Sequence, residues 1–372
     1  MSTTRRGLLK RLGAGAIALS AGGRSIQAQP AVSGADGRLT VIDAHGHFTT
    51  APKGLRDFRD LQLAAVKDSS KAPPKAMLNF SDDEVRASVQ QQLKLQTERG
   101  TNVTIFSPIA GAMGHHLGNE ATSIEWSQVF NDLIHRVCKL YPDNFIGVGQ
   151  LPQSPGVSPK NCAAELERMV KQLGFVGCNI NPDPSGGYWR DPPMTDRSWY
   201  PLYEKLVELD VPAMIHASAS ANPNFHGTGS HYLNANTAVF MQLVTGDLFK
   251  DFPTLRFVIP HGGGAVPYHW DRYRGLAQDL KRPPLGELLL KNVYFDTCVY
   301  YRPGLELLLK TVPIDNILFA SEMIGAVRGV NPETGHHYDD TKRLIDSITW
   351  LSESDRRKIF QDNARRVYRL KI

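Results

Sequence analysis

From residue 39 onward, short apolar runs alternate with longer stretches whose apolar positions recur at helical spacing. Buried strands are predicted at 39–45, 103–107, 145–150, 176–181, 213–216, 256–261, 293–298 and 316–320. Amphipathic segments between them, at 81–99, 123–140, 162–173, 201–209, 235–249, 285–290 and 304–310, read as helices. Two more helices are predicted at 340–351, after the last strand, and at 354–367. Ser81-Asp82-Asp83-Glu84 places an N-cap serine three residues before a glutamate, and Ser352-Glu353-Ser354-Asp355 offers the same kind of start. Strand–helix alternation of this kind predicts an α/β fold with a parallel sheet. An open doubly wound sheet would carry a Gly-rich turn after its first strand, where this chain has His45-Gly46-His47. The expectation is therefore a (β/α)8 TIM-type barrel in one domain, with its working face at the carboxyl ends of the strands. Residues 51–80 show little strand or helix pattern and read as an extended insertion after strand 1.

Composition changes this picture at one end only. An apolar content of 41% fills a core and argues against disorder. The formal charge of +5 comes from residues 1–28, which hold five basic residues and no acid; without them 37 basic residues face 37 acidic ones. Nothing in that balance points to nucleic acid or an anionic membrane as a partner. Adjacent Arg5 and Arg6, then Leu8-Leu9-Lys10 and a weakly apolar run at 12–23, resemble a twin-arginine export signal cut after Ala28. The run is too short to span a bilayer. The expected organisation is a signal at 1–28, a linker at 29–38 and the barrel at 39–372. That implies a periplasmic or otherwise exported protein, or a cytoplasmic one if the signal is not used. Four cysteines show no Cys-x-x-Cys pair; Cys178 and Cys298 read as small buried apolar residues, and an oxidising destination would permit a disulfide that spacing alone does not fix.

The candidate chemistry lies at the strand ends. In Val41-Ile42-Asp43-Ala44-His45-Gly46-His47, alternation along a strand projects His45 and His47 to one side, with Asp43 behind them. Later strands end at Ser107, Gln150, Asn181, His216, His261, Cys298 and Ser321-Glu322. His45, His47 and His216 offer three nitrogens and Glu322 an oxygen, the pattern of a catalytic metal site with an open position. The expected cofactor is one divalent ion, Zn2+ or alternatively Mn2+. His261 reads as either a further ligand or a proton-transfer group. No strand-end lysine is present to bridge a second ion.

The segments Asp43-Ala44-His45-Gly46-His47, Met214-Ile215-His216, Ile259-Pro260-His261-Gly262-Gly263 and Asp362-Asn363-Ala364-Arg365-Arg366 resemble the amidohydrolase superfamily, in its branch of metal-dependent decarboxylases and hydratases. The resemblance runs from about residue 39 to the end. The usual strand-8 ligand of that branch is an aspartate, whereas this chain has Glu322. With 179–187 and 338–343, this glutamate makes the chain similar to the 4-oxalomesaconate hydratase family, which acts on an unsaturated tricarboxylic keto acid from aromatic catabolism. The resemblance implies His45, His47, His216 and Glu322 as metal ligands and His261 near the reacting carbons. It also implies a small polycarboxylate partner and a homo-oligomer such as a dimer. Catalytic roles are expected for His261 and Glu322. Arg328 is the candidate for a bidentate grip on a substrate carboxylate, and Asn181 and Tyr232 for hydrogen bonds to substrate. Competing readings are a decarboxylase or a lactone hydrolase on the same scaffold, or an exported binding protein without chemistry. The export signal itself departs from a cytoplasmic catabolic role.

Overall fold

The computed structural model describes residues 39–325 and 327–372, so the signal and linker readings lie outside the described residues. Among the described residues nine strands run in parallel: β1 Ile42–Phe48, β2 Val103–Pro108, β3 Phe145–Gly147, β4 Gly149–Gln150, β5 Cys178–Ile180, β6 Ala213–Ile215, β7 Phe257–Ile259, β8 Val293–Asp296 and β9 Ile317–Leu318. β3 and β4 occupy one position, interrupted at Val148, whose N–H donates to Phe106 O. Within β1–β3 and within β4–β9 each strand neighbours the next in sequence, and Val176 N–H, donating to Gly147 O, links the two runs. Ala44 N–H donates to Phe319 O at 2.8 Å and Glu322 N–H to His45 O at 2.9 Å, which joins the last position to the first. The eight positions expected from the apolar runs thus form the TIM-type barrel.

Alternation explains where the core sits. Ile215, Phe257, Ile259, Phe295 and Phe319 pack in the layer under the helices. Their neighbours Met214, Val258, Tyr294 and Leu318, with Ile105 and Val148, fill the interior, which Ala364, Val367 and Tyr368 of helix Asn363–Tyr368 close from below. Two residues further along the strands, the same inward positions hold Ser107, Gln150, His216 and Asp296. The barrel is apolar at one end and polar at the other.

β1 breaks the alternation in a useful way. Ile42 and Ala44 belong to the interior cluster, so strict alternation would turn His45 and His47 outward. The register against β2 shifts between Asp43 and Gly46, and this bulge returns both histidines to the inside. Gly46 is required there, because a Cβ would sit 2.2 Å from Thr104 Cγ2.

Several expectations need correction. The insertion after strand 1 is helical, with helix Lys53–Ala65 followed by 3-10 turns at Ser69–Lys71 and Lys75–Leu78. Its buried face carries Arg59 and Gln62 beside Leu55 and Phe58, which disguises the apolar stripe. The helix predicted from residue 235 starts three residues earlier, so Tyr232 opens helix Tyr232–Thr245. Helix Trp270–Asp279 was not expected, since it buries only Tyr273 and Ala277. Helix Glu120–Leu140 starts earlier than predicted, capped by Asn119. The two capping boxes form as expected, at Ser81 with Glu84 and at Ser352 with Asp355. All four cysteines are free. Among the described residues no helix is long and apolar enough to cross a membrane.

Candidate metal centre

His45, His47, His216 and Glu322 converge at the polar end of the barrel, and all four are buried. One ligand atom from each lies within 4.8 Å of every other. His45 Nε2 is 3.0 Å from His47 Nε2, which is 3.3 Å from His216 Nε2. Glu322 Oε1 lies 3.8 Å from His47 Nε2.

The outer nitrogens fix what the inner ones present. His45 Nδ1–H donates to Asp296 Oδ2 at 2.8 Å. His47 Nδ1–H faces Pro108 O and Ser107 Oγ, and His216 Nδ1–H donates to Ala217 O at 2.7 Å. His261 Nδ1 meets Asn236 Oδ1 at 2.8 Å; that amide is oriented by its own donation to Ile215 O, so His261 Nδ1 carries the proton. Each Nε2 is therefore an unprotonated lone pair aimed at the same small volume. Facing lone pairs repel one another unless a cation lies between them. Two nitrogens each about 2.0–2.1 Å from one ion at tetrahedral angles would be about 3.3 Å apart, close to the separations found. The donor set fits one divalent cation.

Electrostatics favours the same state. Burial drives His45, His47 and His261 well below the ordinary imidazole range and His216 down to about 4, holding them neutral as ligands must be. Burial also pushes Glu322 up to about 7 and Asp43 up to about 7. Asp43 accepts from His45 N–H, Ser321 N–H and the Ser321 hydroxyl, and so ties β1 to the segment carrying Glu322. Tyr300 O–H donates to Glu322 Oε2 at 3.1 Å, with Cys298 Sγ 3.5 Å away. Glu322 and His261 both adopt left-handed backbone, at φ 56° and 55°, the kind of local strain that clusters at functional sites.

His261 sits beside the ligands, its Nε2 3.8 Å from Glu322 Oε2. The Tyr232 ring stacks on it at 6.0 Å and meets the His216 ring edge-on. Asn181 lies one step further out; its amide donates to Ser218 Oγ and His115 Nδ1, and its oxygen accepts from Asp183 N–H. Arg328 is exposed in the loop that follows Glu322. Asp296, Asn236 and Tyr300 were missed in the sequence. Asp296 alone left a signal there, as an acid inside an otherwise apolar strand whose end was read at Cys298.

Two predictions arise here. Asp296→Asn should weaken metal affinity by about 10–100-fold, because the carboxylate fixes the His45 tautomer and basicity; competition with a fluorescent chelator measures it. The second concerns His115, whose Nδ1 accepts from Asn181 while Nε2–H donates to Leu151 O, and which burial holds down to about 4. The unfolded chain takes up this proton near pH 6.5, so the histidine's contribution is full above that value and lost as pH falls toward 4. The loss amounts to about 3 kcal/mol. Urea unfolding of wild type and His115→Gln across this range should show the variant's stability declining less on acidification.

Comparison with known proteins agrees with this architecture. The amidohydrolase family profile matches residues 42–370. A 2-keto-4-carboxy-3-hexenedioate hydratase from a Sphingobium species is 56% identical over 331 residues, covering 89% of this chain and 96% of its own. The crystal structure of 4-oxalomesaconate hydratase from Rhodopseudomonas palustris superposes with a TM-score of 0.83 at 56% identity, over 89% of this chain and 96% of that one. A gamma-resorcylate decarboxylase from Rhizobium radiobacter is 27% identical over 75% of this chain and 86% of its own.

Proposed function

The chain belongs to the amidohydrolase family, and from that membership we infer that it is a metal-dependent hydratase, a lyase that adds water to the C=C bond of 2-keto-4-carboxy-3-hexenedioate or a close analogue. The observation that carries the reading is His261, an imidazole anchored through Nδ1 with a bare Nε2 beside the four-ligand cluster. His45, His47, His216 and Glu322 would hold the ion, which we take to be zinc, with manganese as the alternative. When bound, such an ion supplies Lewis acidity and lowers the pKa of water.

The substrate's own chemistry sets the direction. Its 2-keto group is conjugated to the C3=C4 bond, so water oxygen bonds to C4 while the π electrons move onto the ketone oxygen as an enolate. His261 Nε2 takes the proton released by water and returns it to C3, which restores the ketone; the net change is one water added. Histidine fits this shuttle because its lone pair is available at neutral pH. Asn236 holds the imidazole through Nδ1, and Glu322 Oε2, held by Tyr300 and 3.8 Å from His261 Nε2, would stabilise the imidazolium formed once Nε2 has taken the proton. Tyr232 roofs His261 and is our candidate for a hydrogen bond to the substrate, and Arg328 for a carboxylate once its loop meets the ligand. The twin-arginine motif supports a further reading, that the folded, metal-loaded chain is exported.

Incubating the metal-loaded protein with the keto acid tests the assignment. Loss of conjugated absorbance with a product one water heavier is expected. Release of carbon dioxide would replace hydration by decarboxylation, the activity named for the 27% identical relative.

A further inference from the structure

The two oxygens of Glu322 have different surroundings. Oε1 faces the ligand nitrogens, 3.8 Å from His47 Nε2, and accepts no hydrogen bond from any described residue. Oε2 is engaged elsewhere. It accepts the Tyr300 O–H at 3.1 Å and lies 3.5 Å from the Cys298 thiol, itself 3.4 Å from the Tyr300 oxygen. The phenol has one proton and a second acceptor in reach, Ser321 O at 3.3 Å, but a charged carboxylate is the stronger acceptor. Donor and acceptor both sit on left-handed backbone, Tyr300 at φ 51° and Glu322 at φ 56°, which is rare for bulky side chains. Tyr300 lies between the end of β8 and helix Arg302–Thr311. Strain of this kind persists where the surroundings over-determine it, and here they fix the direction of one O–H.

A carboxylate beside a cation can give it one oxygen or both. With one, the three imidazoles and Glu322 make four ligands and leave a position open, as a catalytic site requires. With both, the second oxygen competes for that position. We propose that Tyr300, with Cys298 behind it, is a positioning residue that keeps Glu322 a one-oxygen ligand and so holds a coordination position open for an incoming anion or substrate. The same hydrogen bond keeps Oε2 beside His261 Nε2, at 3.8 Å, where the proposed reaction needs negative charge. The inference rests on the metal-binding part of the proposed function and not on the identity of the substrate.

Titration of the cobalt-substituted protein with azide reads this without turnover, because the visible absorption of cobalt(II) changes when an anion joins the ion. Tyr300→Phe removes one hydroxyl and frees Oε2. The variant should bind azide about tenfold more weakly, the scale of a lost hydrogen bond to a charged group. It should also hold cobalt at least as tightly as wild type in competition with a chelator, since a second oxygen can now join the ion. A residue that served only packing would weaken cobalt and azide together; that result, or an unchanged azide affinity, would overturn the inference and leave the hydratase reading untouched. If the expected pattern is found in a protein that hydrates nothing, the role of Tyr300 stands and the hydratase reading falls.

Discussion

His216→Ala should purify with well under one equivalent of metal and lose at least about a thousandfold in hydratase activity. The estimate has a floor: altering a residue that merely supports a metal ligand already costs about 10–100-fold. His216 is a direct donor, buried, neutral and locked by Ala217 O so that only Nε2 faces the cluster. Removing it leaves two imidazoles and one carboxylate, a set from which a divalent ion dissociates readily. The fold itself should survive. The interior below the site is filled by Met214, Val258, Tyr294 and Leu318, which the substitution does not touch. Metal analysis and circular dichroism on the same sample separate the two effects.

His261→Asn is expected to lower kcat by about 10²–10⁴-fold while the metal content stays at the wild-type level. His261 approaches Glu322 Oε2, whereas His47 approaches Oε1, so the carboxylate divides the ligand side of the site from the proton-transfer side. His45, His261 and Cys298 also come close enough to share an ion. The variant distinguishes the two arrangements, because loss of metal in His261→Asn would make that imidazole a ligand.

The sequence carried the barrel because its strands are apolar on the helix-facing side and its helices start at recognisable caps such as Ser81 and Ser352. The histidine pair was visible for the same reason, as polar residues closing an apolar run. Its inward direction was right on the wrong ground. Alternation from Ile42 and Ala44 points His45 outward, and only the bulge at Asp43–Gly46 turns it back. A bulge depends on the partner strand's register, which a single strand's pattern does not contain. The groups that orient the ligands were harder to see. Asp296 belongs to a strand far from His45 in sequence, and Asn236 is a polar residue on the buried face of its helix. The insertion helix was hidden by Arg59 and Gln62, polar residues on a buried face. Periodicity records burial of apolar groups and is blind to buried polar ones, which is where the chemistry of this chain concentrates.

Crystals of the metal-loaded protein, measured for anomalous scattering at the absorption edge of the added metal, test the central claim most directly. One peak should appear within bonding distance of His45 Nε2, His47 Nε2, His216 Nε2 and a Glu322 oxygen. A fully loaded sample whose only peak lies elsewhere, or whose Glu322 side chain turns away from the three imidazoles, would contradict the account.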